Sequence, residues 1–119
     1  MALKYAYHPG NVAHSGSPEI NDTMIPLART LGIKLTSLDG ATSCGAGIIR
    51  QANHRLQLAL NARTFAQAEA LGLEIMTPCA ATAGNLSEDL SRNFLSSAEL
   101  SLRLQQAAEL LPCICPWLL

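Results

Sequence analysis

Four cysteines and three histidines are the residues of this 119-residue chain best suited to chemistry. Cys44 sits in the glycine-rich run Ser43-Cys44-Gly45-Ala46-Gly47, Cys79 follows Thr77-Pro78, and Cys113 and Cys115 lie beside Pro116-Trp117. A thiol reacts or binds metal as its thiolate, and backbone amides at a helix start favour that form. Cys44 is expected to have such amides around it, because a glycine-rich loop leads from it towards a helix. Cys44 and Cys79 together admit a ligand pair for a metal or cluster, a dithiol that closes if its alpha carbons come within about 7 Å, or two small buried residues.

The remaining candidates carry weaker patterns. Cys113-Ile114-Cys115 could complete a four-thiolate set for Zn²⁺ or a [2Fe-2S] cluster, but a loosely held terminus is the simpler reading of Pro116-Trp117-Leu118-Leu119. His8, His14 and His54 lack a His-x-x-x-His or mixed Cys/His spacing, and exposed loop positions are expected for them. Ser43 has no Gly-x-Ser-x-Gly context, and Gly45-Ala46-Gly47 is neither a Walker motif nor a dinucleotide fingerprint. Serine hydrolysis and nucleotide binding are therefore not indicated.

The elements that must position the thiols follow from turn signals and periodicity. A first strand is predicted over Leu3 to Tyr7, ended by His8-Pro9-Gly10, with a loop through Gly16. Ser17-Pro18-Glu19 opens a helix running to Leu31-Gly32, which Pro26 should kink or divide. Ile33 to Leu38 alternates as a second strand. Ile48 to Leu71 forms a helix with Leu58, Ala62 and Phe65 on one stripe and Gly72 as its stop. Leu73 to Thr77 is a third strand. Asn85 and Glu88 have capping-box spacing ahead of a helix from Leu86 to Leu111, with a break near Ser96-Ser97.

This alternation predicts an α/β fold, a small three-layer βαβαβα unit with a short parallel sheet and the site on loops at the strand carboxyl ends. One domain over residues 1–111 with a tail at 112–119 is expected. Those loops, Pro9 to Ser15, Ala41 to Gly47 and Pro78 to Gly84, should bring Cys44 and Cys79 close together. Apolar residues make up 49% of the chain and charged residues 14%, enough for a core of Leu, Ile and Ala. Eight basic against nine acidic residues, with no basic stripe, argue against nucleic acid. With no signal peptide pattern and no run of 18 apolar residues, a cytoplasmic location is expected.

The three loops also carry a resemblance. Tyr7-His8-Pro9-Gly10 followed by Asn11, then Ser43-Cys44-Gly45, then Cys79-Ala80-Ala81-Thr82, is similar to the CCG cysteine-rich domain that occurs twice in the B-type component of heterodisulfide reductase. The family places a cysteine after an aromatic-Pro-Gly turn, a Cys-Cys-Gly after the second strand and a Cys-x-x-Cys after the third. Here Asn11, Ser43 and Thr82 stand at three of those positions, and Cys44 and Cys79 keep the others.

The resemblance implies an electron-transfer or oxidoreductase component with a non-cubane [4Fe-4S] cluster. Cys44 and Cys79 would be its surviving cofactor and metal ligands. It also implies iron–sulfur or flavin partner subunits and a complex that could associate with a membrane. Because clusters are held mainly by four thiolates, two of them leave the set incomplete in this chain alone. A cluster-free domain kept for interaction or assembly, or a truncated product, is the alternative.

Overall fold

The computed structural model describes residues 2–93 and shows the expected α/β unit. Its three strands, β1 (Lys4–Tyr7), β2 (Lys34–Ser37) and β3 (Glu74–Met76), form one parallel sheet in the order β2-β1-β3. Tyr7 is in register with Ser37 on one side and with Met76 on the other, so all three carboxyl ends finish at one edge. The chain moves from β1 to β2 on one side and then crosses β1 to reach β3. Such a reversal opens a crevice at the carboxyl end of the central strand, here at His8-Pro9-Gly10.

Side chains alternate across a strand, and β1 shows where its helices lie. Ala6 is buried with Leu38 and with Ala68 of α3 (His54–Leu71). Its neighbour Tyr7 donates its hydroxyl proton to Asn21 Oδ1 of α1 (Glu19–Thr30) at 2.6 Å. The two helices therefore cover opposite faces of the sheet. Leu58, Ala62 and Phe65 do pack as one cluster on α3, as the stripe predicts. Gly72 ends that helix in the left-handed conformation, φ 63°, where a side chain would be strained.

The structure departs from expectation at four places. The loop after Gly10 contains a π-type turn over Val12–Gly16, closed by Ser17 N–H donating to the Val12 carbonyl at 2.7 Å. Pro26 does not divide α1. It is exposed, so a carbonyl freed by the missing proline N–H can be satisfied by water.

The helix predicted from Ile48 to Leu71 is two, α2 (Ile48–Ala52) and α3, because Asn53 turns extended at φ −154°. Its Oδ1 accepts from Leu56 N–H at 3.1 Å, an N-cap strong enough to restart the helix. The last helix, α4 (Ala80–Asn93), begins five residues before Asn85. Asn85 is thus an interior residue rather than a cap. The predicted continuation to Leu111, the break near Ser96-Ser97, the domain boundary at 111 and the thiols of Cys113 and Cys115 lie outside the described residues.

Candidate functional site

His8 ties the first loop to the second. Its Nδ1 accepts the Gly10 N–H at 3.0 Å and its Nε2 lies 3.0 Å from the Thr42 carbonyl. Those two partners select the tautomer with the proton on Nε2. The residue is buried, at 4% exposure, which corrects the expectation of an exposed loop histidine: a ring with two backbone partners is satisfied inside. His54 is exposed, as expected, at the start of α3. His14 belongs to the π-type turn.

The second loop places Cys44 on top of α3 and α4. Gly45, at φ +73°, presses against Gln57: a Cβ on it would come 2.7 Å from Gln57 Cγ. The Cys44 carbonyl accepts two side-chain amides, from Asn61 at 3.0 Å and Asn85 at 2.7 Å. Asn61 gives its second amide proton to Asp89 Oδ2, which also accepts from Gln57, each at 2.5 Å. Gln57, Asn61, Asn85 and Asp89 are all at most 5% exposed. A polar seam between the two helices thus fixes the backbone of Cys44. At its outer end Arg50 of α2 reaches Asn85 Oδ1 and forms a two-pronged ion pair with Glu88. That pair raises Arg50 and holds Glu88 below the usual carboxylate range.

The third loop delivers Cys79, immediately before α4, where it meets Gly10 and Thr82. A Cβ on Gly10 would fall 2.4 Å from Cys79 Cβ, 3.3 Å from its Sγ and 3.1 Å from Thr82 Oγ1. Thr82 Oγ1 in turn lies 3.6 Å from Cys44 Sγ and hydrogen-bonds to Cys79. The two thiols therefore share one hydroxyl, and Cys44, Cys79 and Thr82 are all buried. Burial works to raise the Cys79 thiol, but the Thr82 hydroxyl and the amides of Thr82, Val12 and Ala81 outweigh it and hold the thiol below its ordinary range.

A depressed thiol links charge to folding. Its stabilising contribution is present above the ordinary thiol range and is lost as pH falls through the folded-state midpoint. Urea unfolding followed between roughly pH 6 and 10 should show wild-type stability gaining with pH relative to Cys79→Ser. Equal slopes would contradict the assignment.

The donor set of this chain alone does not complete a family-type cluster. Among the described residues no three of His, Cys, Asp and Glu are grouped to hold a metal. At the family's other ligand positions stand Asn11, Ser43 and Thr82, neutral oxygen donors poorly matched to iron bonded to sulfide. The serine hydroxyl accepts the Gly45 N–H at 3.1 Å. Thr82 is 0% exposed and donates its hydroxyl proton to Cys44 Sγ at 3.6 Å.

The sequence reading located both thiols and the three loops. It missed the polar seam, whose signal is Gln57 and Asn61 one turn apart on α3 and Asn85 with Asp89 one turn apart on α4. A polar stripe of amides on an inward face is legible only once the face is known.

Comparison with known proteins accords with this geometry. A family model described as a cysteine-rich domain, CCG, matches residues 5–87, which include all three loops. The chain is also 33% identical over 79 residues to the 8-methylmenaquinol:fumarate reductase membrane anchor subunit of Wolinella succinogenes. That match covers 66% of this chain and 28% of the relative.

Proposed function

The chain belongs to the cysteine-rich CCG domain family, and from that premise we propose that it is an electron-transfer domain of a redox complex. It resembles the B-type component of heterodisulfide reductase and would act beside iron–sulfur or flavin subunits. The observation that carries this reading is the convergence of the three loops on Thr82, with Cys44 and Cys79 both contacting its hydroxyl. The relative is named as a membrane anchor subunit, which supports a place in a membrane-associated reductase. Among the described residues no helix is long and apolar enough to cross a membrane. We place this domain on the cytoplasmic side, with Cys44 and Cys79 as the thiolates it would contribute to a cluster completed by another chain.

A second reading, a cluster-free domain kept for assembly, is favoured by the buried Thr82, which stands at a family ligand position and spends its hydroxyl on Cys44 Sγ. β2 and β3 each pair on one side within the described sheet, and a free strand edge is a ready surface for a partner. Anaerobic purification of the full chain, alone and with its co-purifying subunits, followed by iron and acid-labile sulfide analysis, separates the two. Iron that appears with the partner and is lost in Cys44→Ser or Cys79→Ser supports electron transfer through a shared cluster. A complex without iron at this edge leaves the assembly role.

A further inference from the structure

We propose that the open edge of β2, with the basic cleft beside it, takes an extended acidic segment of a partner subunit, which joins the sheet as a fourth strand. The cleft lies at the amino ends of the strands, away from the thiols. The docking therefore holds for a cluster-bearing and a cluster-free domain alike, and its failure leaves the electron-transfer reading untouched.

The backbone supplies the first half of the site. Among the described residues β2 pairs with β1 alone. The Lys34 N–H donates to the Leu3 carbonyl at 2.8 Å and the Leu38 N–H to the Tyr7 carbonyl at 3.1 Å. In a parallel pair alternate residues aim their backbone groups at opposite neighbours. Lys34, Thr36 and Leu38 thus face β1, while Leu35 and Ser37 turn their N–H and C=O groups to the open side. Such groups are what an extended peptide uses to add to a sheet.

The side chains supply the second half. Between α1 and β2 lies a cleft of about 310 Å³, lined by Ile25, Ile33 and Leu35 and by the cations Arg29 and Lys34. Leu35 is in register with Tyr5, on the face of the sheet that α1 covers. Alternate side chains of a strand added beside β2 point to that same face, so apolar ones enter the cleft.

Charge decides the occupant. Lys4 and Lys34, the two lysines of the chain, are register partners on neighbouring strands, and both are exposed. Like charges side by side in a sheet are destabilising. Among the described residues neither lysine nor Arg29 has an ion-pair partner, and no carboxylate lines the cleft. Three cations are thus gathered at a cost that carboxylates from outside would relieve. An edge lysine also discourages indiscriminate strand pairing, so the same residues reject neutral and basic strands and admit an acidic one.

The test titrates the isotope-labelled full-length chain with an end-blocked peptide of about seven residues, a typical strand length, alternating valine and glutamate. Saturable binding with a dissociation constant below about 1 mM is expected. Hydrogen exchange should slow at the Leu35 and Ser37 amides and change little at Lys34 and Thr36, which already face β1. Combining Arg29→Gln with Lys34→Gln should weaken binding by roughly tenfold or more, and the same peptide with lysine in place of glutamate should not bind. Ser37→Pro removes one outward donor while keeping the bonds to β1 and all three cations, and it should weaken the acidic peptide as well. Circular dichroism checks that each variant is folded; if Ser37→Pro is not, the exchange pattern in the unmutated chain still reports edge pairing. No saturable binding, unchanged exchange at Leu35 and Ser37, or equal affinity in the doubly neutralised variant would overturn the proposal. So would a different occupant: a dimer in sedimentation that blocks the peptide, or binding to phosphatidylglycerol vesicles without binding to the peptide.

Discussion

Gly10→Ala should destabilise the domain by about 2–5 kcal/mol, combining a left-handed backbone cost of roughly 1–2 with overpacking of roughly 1–3. Gly10 has φ +78°, and the added methyl would sit 2.4 Å from Cys79 Cβ. That neighbour is fixed to the backbone at the start of α4, so no flexible tip can swing aside. Relief must come from moving the first loop off the third, which separates Val12 N–H from the Cys79 sulfur. Gly32→Ala is the control, because Gly32 has φ +70° but nothing within 4 Å of its Cβ position. It should lose only the backbone contribution, roughly 1–2 kcal/mol. Urea denaturation of both variants at constant slope checks the difference. Equal losses would mean that the contact at Cys79 carries no weight. Alkylation of Cys79 should also quicken in Gly10→Ala and not in Gly32→Ala.

The same glycine shows what could be read before the fold was known. Turn chemistry placed the breaks at Pro9-Gly10, Asp39-Gly40 and Pro78, because these residues act through their own backbone geometry. The strands followed, each beginning within one residue of its predicted start and ending one residue before its predicted end or at it. Parallel order at a single edge followed from the alternation of strands and helices.

What could not be read depends on tertiary partners. Asn85 and Glu88 satisfy a capping box on paper, yet their side chains turn to Cys44 and Arg50, and the helix starts at Ala80 instead. His8 looks like a loop histidine until the Thr42 carbonyl and Gly10 N–H are brought to its two nitrogens. The choice of Cys79 as the acidified thiol needs the Val12 amide from a distant loop. Reasoning from the glycine-rich run alone pointed to Cys44. Local signals fix where the chain turns, and long-range hydrogen bonds decide what the turning places together.

The polar seam under Cys44 carries the other large expected effect. Asp89→Ala removes the acceptor shared by two buried amides, Gln57 Nε2 and Asn61 Nδ2. A buried donor left without a partner costs about 1–3 kcal/mol, so two place the loss at roughly 2–5 kcal/mol once relief of the buried carboxylate is set against it. That is a large share of the roughly 5–15 kcal/mol typical of a domain. The competing outcome is physical: a carboxylate is costly to bury, and if desolvation dominated, Asp89→Ala would be neutral.

Asp89→Asn distinguishes the causes, since it keeps an acceptor oxygen and the shape while removing the charge. If Asn is tolerated and Ala is not, the seam needs an acceptor. If both fail alike, it needs the charge. Because Asn61 spends its other proton on the Cys44 carbonyl, loosening Asp89 should also free that loop. In the folded Asp89→Ala protein at low temperature, Cys44 should react faster with a small alkylating reagent, while an exposed-loop substitution of equal destabilisation should not change its rate. A rate tracking global stability alone would show that the seam holds helices together and does not position the thiol.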